Sequence, residues 1–135
     1  VGAIAIDAAG RLASATSTSG TPYKPSGRVG DSGIFGAGGF AQAGVAAVGT
    51  TGHGEQIYRT LLAKYTSDCV ALGMAAHDAA QAAAQHFEER FPASMSGVIV
   101  IDHNGRFSAA QTAPKLAHGW MNETSQAHIS MRSNT

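Results

Sequence analysis

The residues best suited to chemistry lie in a glycine-bounded stretch, residues 27–32, which reads GRVGDS. It places Arg28 three residues ahead of Asp31. The guanidinium of an arginine is a fixed fork of donors that suits a carboxylate, and an aspartate offers acceptors to an ammonium group. Together the two side chains could hold both charged ends of a free amino acid. The simpler interpretation is an exposed ion pair in a turn, because such pairs are common and weak.

Two other stretches could supply hydroxyl groups and backbone donors. Residues 16–18 read Thr-Ser-Thr, and an unassisted hydroxyl becomes a nucleophile only with a base within reach. Residues 51–55 read TGHGE and fall where a strand is expected to pass into a helix. Free N–H groups at a helix start can stabilise a developing oxyanion, and the Thr51 hydroxyl beside the Gly52 N–H could do the same. A plain glycine turn is the alternative for this stretch.

The remaining reactive side chains indicate no further chemistry. The six histidines show no metal-ligand spacing, and we expect structural or solvent-facing roles for them, including His53 in TGHGE. Cys69 falls near the apolar face of a predicted helix and is expected to be a small buried residue. Lys24 could add positive potential near Arg28, although an exposed loop lysine is the default. The sequence has no phosphate-binding loop, zinc set or Ser-His-Asp order.

Composition and length suit a single domain, residues 1–135, with a real core. Apolar residues make up 44% of the chain and charged residues 13%. The net charge is zero with histidine neutral, which argues against a nucleic-acid partner, since a dedicated binder normally carries a basic patch. No apolar run reaches the roughly 18 residues that a membrane span needs, so no membrane partner is expected.

Hydrophobic periodicity and turn residues predict most of the elements. They are a hairpin over 1–18, a loop over 19–42, a strand over 43–51, helices over 55–72 and 75–91, a hairpin over 97–111 and a strand over 127–131. The loop holds seven glycines and two prolines, and loops of this length are usually functional or disordered. Residues 132–135 are expected to be frayed. Antiparallel hairpins with a helix pair indicate an α+β layered domain.

The helical period also predicts which residues face the core. In the first helix the expected buried face is Ile57, Leu61, Tyr65 and Leu72. In the second it is Ala76, Ala80, Ala83, Phe87 and Phe91, with Pro92 ending the helix.

Two features suggest a neighbouring chain. Val1 stands directly inside a strand-like run, residues 1–6, as expected of a cut or processed precursor. The strands are also apolar on both faces, which calls for cover on each side of the sheet. Two helices cannot cover both faces of the sheet.

Together these motifs resemble the β-subunit of the threonine N-terminal-nucleophile amidohydrolases, which include plant-type L-asparaginases, isoaspartyl peptidases and glycosylasparaginases. The resemblance runs in order from Val1 to about Leu72, and more loosely to Gln111. Its specific part is the GRVGDS block and its distance to TGHGE. The matching blocks are TSTSG (16–20), YK (23–24), GRVGDS (27–32), GAG (36–38) and TGHGE (51–55).

The resemblance implies a role for each matching residue. In that family a precursor cleaves itself and the β-subunit begins Thr-Val-Gly or Thr-Ile-Gly, so the nucleophilic threonine is expected directly ahead of Val1, with its own α-amine as base. Thr18 would orient that threonine. Arg28 would bind the substrate α-carboxylate and Asp31 the α-ammonium group. The Thr51 hydroxyl and the Gly52 N–H would form the oxyanion hole.

The resemblance also implies an architecture and partners. The family fold is a four-layer αββα sandwich shared between an α-chain and a β-chain. This α+β chain would be one half of it, completed by an α-subunit from the same precursor, usually as a dimer of αβ heterodimers. No cofactor is implied. A structural sodium ion in some relatives lies in the α-chain, so no metal is expected in this chain.

Three functions stay open from the sequence. The first is an isoaspartyl peptidase with L-asparaginase activity, which attacks β-linked aspartyl amides through a β-aspartyl ester. The second is a glycosylasparaginase, which is favoured by Tyr23-Lys24 and His53. The third is an inactive binding subunit that keeps the amino-acid clamp without the nucleophile.

Overall fold

A computed structural model of the chain describes residues 1–124 and 126–131; the expected frayed end at 132–135 lies outside this range. The amino-terminal hairpin is confirmed. Strand β1 (Gly2–Ile6) pairs antiparallel with β2 (Leu12–Thr16), in a register that sets Gly2 opposite Thr16. The turn closes through the Gly10 N–H, which donates to the Asp7 carbonyl at 2.9 Å.

A four-stranded antiparallel sheet forms the centre of the described structure. Its order is β3-β4-β5-β6, with β3 (Gly39–Gln42), β4 (Ala46–Gly52), β5 (Ser96–Asp102) and β6 (Phe107–Gln111). The predictions for β5 and β6 are confirmed. The predicted loop over 19–42 is wrong at its end, because β3 pairs with β4 there. Strand β4 begins at Ala46, three residues later than predicted, because the chain turns through Gly44 with φ at 71°.

The predicted helix over 55–72 is two helices. Helix α1 (Gly54–Thr60) ends and α2 (Leu62–Ala71) begins at Leu61, which has left-handed backbone angles, φ 45° and ψ 50°. The break lets α2 donate to the neighbouring loop: the Lys64 N–H bonds the Gly36 carbonyl at 2.8 Å and the Ala63 N–H bonds the Ala37 carbonyl at 3.3 Å.

The core faces of the helices are confirmed in part. Ile57 is fully buried, but Leu61 is 45% exposed and Leu72 is 86% exposed, so their predicted burial is wrong. The break at Leu61 changes the direction in which the side chains of α2 point relative to those of α1. A single 3.6-residue period over 55–72 therefore does not predict which of these residues are buried. Helix α3 (Ala76–Arg90) agrees with its prediction. Its alanines at 76, 80 and 83 are buried with Phe87, and Phe91 is partly buried against the same core.

The elements stack in three layers. The β1–β2 hairpin packs on one face of the four-stranded sheet, and α2 and α3 pack on the other. Two hydroxyls on the inner face of β2 fix the hairpin: Ser14 Oγ donates to the Val48 carbonyl and Thr16 Oγ1 to the Ser32 carbonyl, both at 2.8 Å. The α+β layering thus agrees with the prediction.

A small ribbon follows the sheet. Strand β7 (His118–Trp120) pairs with β8 (His128–Ser130). The prediction for 127–131 is confirmed by β8, whereas β7 was not predicted. None of the helices in the described ranges is both long enough and apolar enough to cross a membrane.

The fit of the hairpin on the sheet depends on Gly39. A Cβ atom at this position would lie 2.7 Å from Ser14 Oγ and 2.9 Å from Thr16 Cγ2. We therefore expect Gly39→Val to lower the free energy of unfolding by about 1–3 kcal/mol, the usual cost of overpacking. Denaturant titration of the complete protein measures it.

The control is Gly33→Ala. Its Cβ would meet only Val29 Cγ1, at an ordinary 3.7 Å. Equal unfolding free energies for the two variants would contradict this account of the layer contact.

Candidate active site

The loop that carries Arg28 and Asp31 is fastened to the end of β4. Asp31 begins a short 3-10 turn, Asp31–Gly33, and its carbonyl accepts the Gly38 N–H at 3.1 Å. Gly38 in turn accepts the Thr50 N–H at 2.8 Å, and Thr50 Oγ1 donates to the Ala37 carbonyl at 2.8 Å. Strand β4 therefore positions this loop through both the backbone and the side chain of Thr50.

The Asp31 carboxylate lies against the start of α1. Asp31 is only 9% exposed, and a Cβ atom at Gly54 would lie 2.7 Å from its Oδ1 and 3.1 Å from its backbone nitrogen. Only glycine allows the helix start to approach this closely. The TGHGE motif thus needs its second glycine for packing against the GRVGDS motif.

Arg28 makes a two-pronged ion pair with Glu55. Its Nε donates to Oε1 at 2.5 Å and its Nη2 to Oε2 at 2.7 Å. The Arg28 side chain is 13% exposed and that of Glu55 is 43% exposed. Nothing in the sequence pointed to a partner for Glu55, so this contact was missed. The two residues stand 27 positions apart, and no local pattern marks their contact.

The three charges shift each other's protonation. The hydrogen bonds from Arg28 lower the pKa of Glu55 to about 2. Because this folded-state pKa lies below the ordinary 4.5, the pair contributes stability above pH 4.5 that is lost as the pH falls towards 2. The same pairing raises the pKa of Arg28.

Burial raises the pKa of Asp31. Its own backbone amide and the positive charge of Arg28 offset part of that rise. Because the shift is upward, the contribution of Asp31 to stability is fully present below its ordinary value of 3.8 and is lost as the pH rises through the raised pKa.

Thr51 and Gly52 stand exposed at the end of β4. Gly52 has φ at 136°, and a Cβ atom there would lie 2.1 Å from the Met95 carbonyl oxygen, so the position requires glycine. Thr51 lines a cavity of about 340 Å³ together with Val1 and Gly2. Residues 115–119 also line this cavity.

The amino end continues the hairpin ladder towards this cavity. The Val1 nitrogen donates to the Ser17 carbonyl at 3.1 Å, and the Ser17 N–H donates to the Val1 carbonyl at 2.9 Å. Extended by two positions, the register of the ladder would set a residue ahead of Val1 opposite Thr18. Its side chain would share the inner face with those of Gly2 and Ile4, because strand side chains alternate. The Thr18 hydroxyl accepts the Gly20 N–H at 2.9 Å.

The sequence-predicted residues thus form two adjoining groups. Arg28 and Asp31 lie with Glu55 at the start of α1. Thr51 and Gly52 end β4, two residues before that helix begins, and Thr51 lines the cavity that Val1 also lines. Thr18 stands at the same end of the hairpin as Val1. The structure gives their positions; their catalytic roles stay predictions.

The other singled-out side chains have structural contacts. His53 Nδ1 accepts the Met95 N–H at 3.1 Å, and His86 stacks on Tyr65 with ring centroids 4.1 Å apart. Cys69 is buried, and burial raises the pKa of its thiol. Across residues 1–124 and 126–131, no group of three His, Cys, Asp or Glu side chains could hold a metal ion.

Comparison with known proteins agrees with the resemblance. A family model described as "Asparaginase" matches residues 1–131. The isoaspartyl peptidase/L-asparaginase of Xenopus laevis is 37% identical over 129 residues, which are 96% of this chain and 41% of that protein. The human protein of the same name is 40% identical over 116 residues, 86% of this chain and 37% of its own length.

A plant-type L-asparaginase from Pyrobaculum calidifontis is 39% identical over 120 residues, which cover 89% of this chain and 40% of that protein. The chain spans about two fifths of the length of these curated relatives. The match covers both the GRVGDS and the TGHGE motifs, whose contacts build the site described above. The chain therefore belongs to the asparaginase family.

Proposed function

We propose that this chain is the β-subunit of an amidohydrolase that cleaves β-linked aspartyl amides, both L-asparagine and β-aspartyl dipeptides. The observation that carries the proposal is that one cation and one buried anion, Arg28 and Asp31, both lie at the start of α1, close to the strand end that carries Thr51. The names of the relatives support the substrate class, since they are called isoaspartyl peptidases and L-asparaginases.

The two charges match the backbone end of the substrate. Arg28 binds the α-carboxylate and Asp31 the α-ammonium group. Because Asp31 is buried, its attraction for an ammonium group is weakened by water less than at an exposed site. A bound ammonium group also compensates the burial of the carboxylate, so this pairing stabilises the complex.

The reaction is acyl transfer to the hydroxyl of a threonine directly ahead of Val1. That hydroxyl attacks the side-chain amide carbon, and the α-amine of the same threonine takes its proton and passes it to the leaving nitrogen. Ammonia or the amine of the second amino acid leaves, and a β-aspartyl ester remains. Water, activated by the same amine, hydrolyses the ester and releases aspartate.

The neighbouring residues serve this reaction. The Thr51 hydroxyl and the Gly52 N–H donate to the oxyanion of each tetrahedral intermediate. Thr18, opposite the position ahead of Val1 in the ladder, holds the nucleophile in place by a hydrogen bond. No residue of this mechanism calls for a cofactor.

An α-subunit from the same precursor completes the fold. Two observations support it: the chain spans two fifths of its relatives, and the outer face of the hairpin carries the exposed alanines Ala3, Ala5, Ala13 and Ala15. A second helical layer laid on this face gives a four-layer αββα sandwich. The dimer of such heterodimers follows from the family resemblance.

Hydrolysis assays test the proposed function. We expect the complete purified protein to release aspartate from L-asparagine and from a β-aspartyl dipeptide, and the intact mass of the β-chain to include a threonine ahead of Val1. Cleavage of a glycosylated asparagine alone would favour a glycosylasparaginase. Cleavage of none of the three, with that threonine missing, would favour an inactive binding subunit.

The oxyanion role of Thr51 predicts a loss of rate. We expect Thr51→Val to lower kcat for L-asparagine by about 100- to 1,000-fold, the typical effect of removing one such donor, with KM little changed. Thr51 is exposed, so the fold should tolerate the change. The control is Thr51→Ser, which keeps the hydroxyl and should stay near the wild-type rate. An unchanged kcat for Thr51→Val would contradict the role.

The raised pKa of Asp31 predicts a second step on the acid side of the pH profile. The threonine α-amine must be neutral to act as base, so its protonation sets the first fall of kcat/KM as the pH drops. Binding of the substrate ammonium group also needs the Asp31 carboxylate ionised, so the fall should steepen at lower pH, with a midpoint above the ordinary value of 3.8. A profile of kcat/KM against pH measures it, with the exposed Asp68→Asn variant as a control that leaves this second step in place. A second step at or below 3.8 would contradict the assignment.

A further inference from the structure

Glu55 has no part in the mechanism above, although it makes the closest contacts of the arginine that the mechanism uses. We propose that Glu55 is a positioning residue: it holds one edge of the Arg28 guanidinium so that the opposite edge receives the α-carboxylate of the substrate. This inference rests on the proposed function and assigns a further residue to its substrate-binding site.

The donors of Arg28 divide into two edges. A guanidinium carries five N–H groups in one plane. Glu55 accepts from Nε at 2.5 Å and from Nη2 at 2.7 Å, which uses the Nε–H and one Nη2–H. The second Nη2–H and both Nη1–H groups remain, and the Nη2–H forms with one Nη1–H the end-on fork of the guanidinium. That fork suits a second carboxylate in the same bidentate geometry.

Two glycines leave room around this free edge. A Cβ atom at Gly30 would lie 2.8 Å from Nη1, and one at Gly54 would lie 3.2 Å from Nη2. Any larger residue at either position would press on the guanidinium or displace it. The absent side chains therefore keep open the edge that Glu55 does not occupy.

One helical turn fixes both charges of the clamp. Gly54 packs on the Asp31 carboxylate, and Glu55, the next residue, holds Arg28. The start of α1 thus sets the positions of the cation and the anion relative to each other. Such spacing matters for a ligand whose carboxylate and ammonium groups sit on the same carbon atom.

The pair serves ligand binding in addition to stability. The Glu55 side chain is 43% exposed and that of Arg28 is 13% exposed, so the pair is half-buried. An arginine held by a neighbour loses less conformational freedom when a ligand binds.

The substitution Glu55→Gln tests this in the complete protein. Glutamine keeps the shape of the side chain but replaces one acceptor oxygen with an amide that cannot accept from Nη2. We expect KM for L-asparagine and the Kd for L-aspartate, measured by calorimetry, to rise by up to about tenfold, the effect of immobilising one long side chain. We expect kcat to stay within about twofold, because Glu55 does not touch the reacting atoms.

Two matched variants separate positioning from general damage. Asp68→Asn breaks the exposed Lys64–Asp68 pair, away from the site, and should change neither KM nor Kd. In an Arg28→Gln background, which itself should bind L-aspartate poorly, adding Glu55→Gln should cause no further loss, because Glu55 acts through Arg28. β-Alanine, which is aspartate without the α-carboxylate, should bind equally to wild type and to Glu55→Gln.

Each contrary result overturns the proposal. Tighter binding of L-aspartate by Glu55→Gln would show that Glu55 competes with the ligand. A full further loss in the Arg28→Gln background, or a Glu55→Gln variant that behaves like Asp68→Asn, would show that Glu55 does not act through Arg28. Wild type that binds L-aspartate but hydrolyses nothing would refute the proposed function alone, whereas wild type that does not bind L-aspartate would refute this inference.

Discussion

The site depends on one buried carboxylate. Asp31 loses most of its contact with water where the helix start at Gly54 packs on it, and a buried charge is costly unless another charge or donor compensates it. Its own amide and the positive charge of Arg28 act in that direction, but burial outweighs them, so the pKa of Asp31 is raised. The loop that carries Asp31 meets the start of α1 at Gly54 and is tied to the end of β4 through Gly38 and Thr50.

Strand β4 fixes the position of the loop that carries Asp31. Its residue Thr50 holds the Asp31 loop through Ala37 and Gly38, its next residue Thr51 faces the cavity, and Gly52 leads into α1. Three successive residues of one strand therefore set the positions of the candidate substrate clamp and of the candidate oxyanion donors. A central strand is rigid, which suits groups that must be placed closely.

The sequence predicted the elements whose signal is local. The amino-terminal hairpin, β5, β6 and α3 follow clear periods and end at recognisable turn residues, such as the Asn-Gly pair at 104–105. The strand β3 was missed because residues 39–42 include no β-branched residue, and their pairing depends on β4. The break at Leu61 was missed because a left-handed leucine is unfavourable in isolation, and its compensation comes from a distant loop.

The candidate site was also predicted only in part, because some of its contacts join residues far apart in the chain. Sequence patterns singled out Arg28, Asp31, Thr51 and Gly52, and the structure brings them to adjoining positions. Glu55 was not assigned to Arg28, because a contact between residues far apart in the chain has no periodicity. The contact between Glu55 and Arg28 forms only when the start of α1 packs on the loop that carries Arg28.

The hairpin ladder has a consequence for the proposed cleavage of a precursor. Side chains along β1 alternate between the inner and outer faces, so a cut one bond away from the proposed one would give a subunit whose first side chain points to the other face. The accuracy of such a cut, and not only its occurrence, would then decide how many molecules in a preparation are active.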